Sequence, residues 1–182
     1  MDLTFVSTNV GKFREVREIL SEYDVRVRWS RRQLPEVQAG RLESVVEAKL
    51  DAAQHLGSRI LVEDSGLFIP ALGGFPGVYS AYVFDTIGLA GVLRLVEGQS
   101  RRARFRAVAG LSIGPRRWMM PGECPGRIAP RPRGTHGFGY DPIFIADGET
   151  RTFGELDPAE KNRRSHRARA IRRVGRLLRT VG

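Results

Sequence analysis

The chain opens on LTFVST (3–8), a short β-rich run, and passes at once into KFREVREILSEY, where Phe13, Val16, Ile19 and Leu20 recur at helical spacing. Apolar residues three and four apart share one helix face, so the segment predicts an amphipathic helix following a strand. VRVRW (25–29) alternates and predicts a second strand. LESVVEAKLDAAQHL (42–56) returns to helical spacing through Val45, Val46, Lys49, Ala52, Ala53 and Leu56. RILVEDSG (59–66) predicts a buried strand running into an acidic turn, and GGFPG (73–77) a loop. DTIGLAGVLRLVEG (85–98) predicts a helix ending at Gly98, and RARFRAVAGLSIG (102–114) a strand. PRRWMMPGECPGRIAP (115–130) predicts short strands with turns, and PRPRGTHGFGYDPIFI (130–145) a glycine-rich loop entering a strand. Interleaved strands and helices with hairpin material in the middle predict an α/β fold with a mixed sheet.

The closing segment predicts one helix. Asp157 suits the N-cap, Pro158 the first helical position, and Glu160 completes a capping box. At about 100° per residue, Ala168, Ile171, Val174, Gly175 and Leu178 form an apolar stripe, while Arg169, Arg172, Arg173, Arg176 and Arg179 fall opposite it as a solvated face. Continued backwards, the stripe meets Lys161, Arg164 and Arg167. Cations in line with a buried stripe, near the positive end of a helix, point at something negative: a bound phosphate, or buried carboxylates.

Composition narrows the picture. At 182 residues, with 41% apolar and 27% charged positions, the chain suits one ordinary globular domain, spanning 1–182. No apolar run suggests a bilayer span, the N-terminus lacks a signal-peptide pattern, and a lone Cys124 forbids an internal disulfide. The expectation is a cytoplasmic protein without a membrane. The net charge of +10 raises a basic nucleic-acid-binding protein as one reading, with the Arg-rich last helix as its contact surface. Yet 27 of the 30 cations are Arg, and only Lys12, Lys49 and Lys161 are Lys. A compact ammonium does what a planar guanidinium cannot, so these three mark candidate phosphate contacts.

Three further stretches carry candidate chemistry. FVSTNVGK (5–12) breaks a strand into a polar turn before a helix, where backbone N–H groups and Lys12 can meet phosphate. It is not a P-loop, because Val6 and Phe13 stand where that motif needs Gly and Ser/Thr. VEDSG (62–66) sets Glu63 and Asp64 side by side after an apolar run, a natural place for a Mg²⁺ ligand or a base for water. GFGYDPIF (137–144) places Phe138 and Tyr140 around Gly139, with Asp141 next: a stacking surface for a flat base, or a turn with two core aromatics.

Read together, STNxxK, PEVQ, VEDSG, LGGFPGVYS, GFGYDPIF and EKxxxSHR resemble the inosine triphosphate pyrophosphatase family, from about residue 3 to about residue 178. The resemblance implies an elongated mixed-sheet α/β fold in two lobes with the active site in the cleft between them, usually a homodimer. It implies Mg²⁺-dependent hydrolysis of non-standard purine nucleoside triphosphates (ITP, dITP, XTP) to the monophosphate and pyrophosphate, and no specific nucleic acid partner. Asp64 would bind metal and act as the base, with Glu36 as the second metal-site acid. Ser7, Thr8, Asn9, Lys12, Lys49 and Lys161 would hold the triphosphate, with Ser65 beside it. Phe138, Gly139, Tyr140, Asp141, His166 and Arg167 would enclose and read the base. Two positions depart from the family pattern: Thr8 stands where Gly is usual, and Ala81 where a basic residue often follows YS.

Overall fold

The structure, a computed structural model, describes residues 1–181. Its elements in chain order are β1 (Asp2–Val6), α1 (Val10–Ser21), β2 (Arg26–Ser30), α2 (Leu42–Ala53), β3 (Arg59–Phe68), α3 (Ser80–Leu95), β4 (Arg102–Ile113), β5 (Arg116–Ile128), β6 (Phe144–Ala146), α4 (Pro158–Arg164) and α5 (His166–Val181). The strands follow the order β2-β1-β3-β4-β5-β6. β1 pairs in parallel with β2 and β3, and β5 pairs antiparallel with β6, so the sheet is mixed as the pattern predicts.

The chain divides into two compact units. The first contains the chain up to Asp64, Ala107–Gly122, and the chain from His166. Its core joins Leu3 and Phe5 of β1, Val16, Ile19 and Leu20 of α1, and Ala168, Ile171, Val174 and Leu178 of α5. The apolar stripes of the two helices are therefore buried as their spacing requires. The second unit contains Ser65–Arg106 and Glu123–Ser165. Its core gathers Leu67, Val92, Phe105, Ile143, Phe144 and Phe153, with the three phenylalanines packed ring against ring. Gly66 and Ser80 fix the LGGFPGVYS turn: a Cβ on Gly66 would collide with the Gly77 carbonyl. Ser80 Oγ accepts from Leu67 N–H at 2.8 Å and donates to Gly77 O at 2.7 Å.

Four expectations change. β3 does not stop at the acidic pair; it continues through Glu63 and Asp64 to Phe68. The region 115–130 is one long strand, β5, despite Pro121 and Pro125. β6 is paired with Gly126–Ile128, beyond both prolines. The closing helix is two helices, because Ser165 is extended (ψ 157°) between α4 and α5. The helical wheel thus cannot run from Leu178 back to Lys161. Finally, the segment Gly77–Leu95 is long and apolar enough by composition to cross a membrane. Gly88, at φ 61° and ψ −165°, interrupts it. Within lipid such a break would leave backbone groups without partners.

Candidate functional site

In the first unit, the turn after β1 is built around Asn9, the N-cap of α1. Its Oδ1 accepts from Lys12 N–H at 2.9 Å, and Ser7 Oγ accepts from Asn9 N–H at 3.1 Å. Trp29 braces the turn from β2, donating from Nε1 to Ser7 O at 2.7 Å and stacking on Phe13 at 4.8 Å. Thr8 is exposed, while Ser7, Asn9 and Lys12 are half-buried. The first turn of α1 carries no acidic residue, so its free N–H groups are left for an anion.

Glu63 and Asp64 are buried neighbours on β3, and neighbouring strand residues face opposite ways. Glu63 meets Lys12 Nζ at 2.8 Å and Arg167 Nε at 3.2 Å. Arg167 also donates from Nη1 to Glu15 Oε2 at 2.6 Å, and its side chain is only 2% exposed. Asp64 turns to α2, where Lys49 Nζ lies 2.6 Å from Asp64 Oδ1 and 2.8 Å from Glu36 Oε1. Burial has the largest influence on the Asp64 carboxyl and pushes it above the ordinary carboxylate value, against the pull of Lys12 and Lys49. For Lys49, burial works downward, but Asp64 and Glu36 outweigh it and hold the ammonium above its ordinary value. A carboxylate with raised proton affinity is better suited to accept a proton from water.

Two carboxylates that converge on one ammonium can equally converge on a metal ion. The Lys49 nitrogen marks a point within reach of both Asp64 and Glu36. Hard oxygen donors suit Mg²⁺, which uses one or two carboxylates and takes other ligands from water and substrate phosphate. Among the described residues no group of three or more His, Cys, Asp or Glu is arranged to hold a metal, so the fit is to this two-carboxylate mode. Lys12, Lys49 and Arg167 face four carboxylates, those of Glu15, Glu36, Glu63 and Asp64. That excess of negative charge favours a cation before it favours a phosphate chain.

The second unit holds the other expected residues. Asp141 Oδ2 accepts from Phe138 N–H at 2.8 Å and from Lys161 Nζ at 2.6 Å. The Lys161 ammonium also lies 4.8 Å from the Phe138 ring centre and 5.7 Å from that of Phe153. Tyr140 is buried in the core: its hydroxyl donates to Ser80 O at 2.8 Å, and its ring meets Phe84 edge-on. Burial, then the charge of Asp85, pushes the Tyr140 phenol well above its ordinary range. Phe138 and Gly139 are half-buried, as is Ser65 where the unit begins on β3. His166, at the start of α5 in the first unit, is buried.

A model of the Ham1 family matches residues 3–176. The chain belongs to the Ham1 family. It is 48% identical over 176 residues to the dITP/XTP pyrophosphatase of Methanopyrus kandleri, covering 95% of this chain and 94% of that one. It is 46% identical over 181 residues to the dITP/XTP pyrophosphatase of Thermococcus kodakarensis, covering 98% and 97%. Among solved structures it is similar to a HAM1 protein from Coxiella burnetii, with TM-score 0.83, 33% identity, and 98% and 100% of the two chains covered. The family resemblance drawn from the motifs is thus borne out, as is the mixed α/β fold.

Glu15 is the residue that sequence reasoning missed, although a signal was present. It lies three residues after Lys12 and four before Ile19, on the buried face of α1. A carboxylate on a core-facing stripe predicts a cation opposite, and Arg167 is that cation.

Proposed function

We propose that this protein hydrolyses non-standard purine nucleoside triphosphates, such as dITP, ITP and XTP, to the monophosphate and pyrophosphate with the help of Mg²⁺. One observation carries the reading: the buried Asp64 converges with Glu36 on a single cation position at the Lys49 ammonium. The names of the M. kandleri and T. kodakarensis relatives support the substrate class.

Glu36 and Asp64 would hold the metal, which when bound supplies positive charge to the phosphate oxygens. Ser7, Thr8, Asn9, Lys12 and Lys49 hold the phosphate chain through the N–H groups of the turn and two ammonium groups. Asp64 accepts the proton of the attacking water at a carboxylate oxygen, and Ser65 stands next to it on β3. Positioning and charge then account for the hydrolysis without a covalent intermediate. Phe138, backed by Asp141 and Gly139, offers the base a stacking face, and Tyr140 anchors that turn from the core. His166 would read the base edge, and Glu15 and Glu63 hold the Arg167 guanidinium beside it at the start of α5. Hydrolysis of ITP that depends on Asp64 and stops on adding EDTA tests the reading.

We also propose a homodimer working in the cytoplasm. No Lys, Arg or His occurs from residue 60 to residue 93, in a chain with 30 Lys and Arg. On this stretch Phe75, Tyr79, Tyr82 and Ile87 are exposed, Tyr82 by 70%. In a chain with net charge +10, a face without cations lowers the repulsion between two copies, so this apolar face suits a second copy. Sedimentation of the Tyr82→Glu variant as a monomer, with a dimeric parent, is the expected result.

A further inference from the structure

The chemistry around Lys161 does not suit a phosphate ligand. Its side chain is 3% exposed, and so is that of its partner Asp141. Its ammonium is packed against Asp141 and two aromatic rings, which leaves little room for a phosphate, and moving it away would take a cation from a buried carboxylate. The aspartate it holds is not idle either. Asp141 Oδ2 also takes the Phe138 N–H, while Asp141 N–H donates to Phe138 O at 3.2 Å. These reciprocal bonds close the turn 138–141. Gly137 makes the closure possible: its φ is +75°, and a Cβ there would collide with Asp141 Oδ2. The turn is tied further by His136 N–H to Gly154 O at 2.9 Å, which brings Phe153 to the ammonium.

We propose that Lys161 is a positioning residue: it locks Asp141, and through Asp141 and its contact with the Phe138 ring it sets the stacking face for the purine, rather than binding phosphate. The proposal rests on the nucleotide reading above and deepens it, assigning this lysine to the base half of the substrate. A lysine bound to phosphate and a lysine bound to the turn differ in which fragment of the nucleotide feels its loss.

The test compares two probes on the full chain by titration calorimetry: inosine 5′-monophosphate, which carries the base, and inorganic tripolyphosphate, which does not. Lys161→Met should weaken inosine monophosphate by on the order of ten- to a hundredfold, the scale of one base stacked on an aromatic ring. It should leave tripolyphosphate within about threefold of the parent, a difference of about 0.65 kcal/mol. Hydrogen exchange should quicken at the Phe138 amide. Because Lys161→Met takes a cation from the buried Asp141, the double variant Lys161→Met with Asp141→Asn is made as well. It is neutral, and its amide oxygen can still accept from Phe138 N–H, so inosine monophosphate binding should recover most of the loss. A tenfold weakening of tripolyphosphate in both variants, with unchanged exchange at Phe138, would overturn the proposal. If the unaltered protein binds neither probe the nucleotide reading fails, and the exchange at Phe138 still decides whether Lys161 holds the turn.

Discussion

Lys49 and Lys161 each place an ammonium 2.6 Å from an aspartate oxygen, in the first and second unit respectively, yet their surroundings differ. Lys49 is shared between Asp64 and Glu36, and the Glu36 side chain is 66% exposed on a stretch without regular structure. Partners around Lys49 can therefore exchange, and in the proposed function a metal would take the two carboxylates while the ammonium turns to phosphate. Lys161 has no such freedom, being enclosed by Phe138 and Phe153 and tied to an aspartate that also serves a backbone N–H. The same ion pair thus serves two proposed jobs. A carboxylate neighbour open to solvent suits the reactive centre proposed above, and an aromatic enclosure suits a fastening.

The largest effect should come from the reactive pair. Asp64→Asn removes the proposed proton acceptor and metal ligand while keeping the side-chain volume, so ITP turnover should fall by at least ~10²–10⁴-fold. Circular dichroism should show the fold retained; turnover within tenfold of the parent would break the contrast. Next comes Arg167→Ala, which removes the cation between Glu15 and Glu63. Breaking such a buried arrangement should cost about 3–5 kcal/mol in urea unfolding, with activity lost as well. Lys49→Met sharpens the comparison with Lys161. Both inosine monophosphate and tripolyphosphate should weaken, by roughly 1.5–3 kcal/mol for a lost charge-assisted bond. Selective loss of the base-bearing probe would assign Lys49 to the wrong half. The smallest effect should be Arg172→Gln, whose pairing with Glu22 lies at the surface, worth less than about 1 kcal/mol in stability and nothing measurable in turnover.

Much of this contrast was legible in the chain. Regular spacing located α1 and α2, and the strict alternation of VRVRW located β2. The three lysines stood out because Arg fills nearly every other cationic position. What stayed hidden depended on long-range packing. Glu63 and Asp64 looked like the end of a strand, since two adjacent carboxylates rarely stay buried; Lys12, Lys49 and Arg167 reach them from three helices and make it tolerable. Pro121 and Pro125 looked like turns because pairing along β5 is invisible in a pattern of residues. The break at Ser165 carries no Gly or Pro, only a serine, which suits the position just ahead of a helix. A single wheel drawn through it put Lys161 on the stripe of Leu178, although the two lie on separate helices in separate units. Burial of Lys161 was still inferred correctly, for the wrong geometric reason.

The central claim is that Asp64 and Glu36 serve phosphate hydrolysis of non-standard purine nucleotides. Pyrophosphate release from ITP, XTP, GTP and ATP, at one Mg²⁺ concentration and again with EDTA, tests it most directly. The expected result is inosine monophosphate and pyrophosphate as the sole products of ITP, no turnover with EDTA, and kcat/KM for ATP lower than for ITP by at least ~10²-fold, because a donor facing the adenine amino group leaves polar groups unpaired. Equal kcat/KM for ITP and ATP, release of inorganic phosphate instead of pyrophosphate, or full activity in EDTA would contradict it.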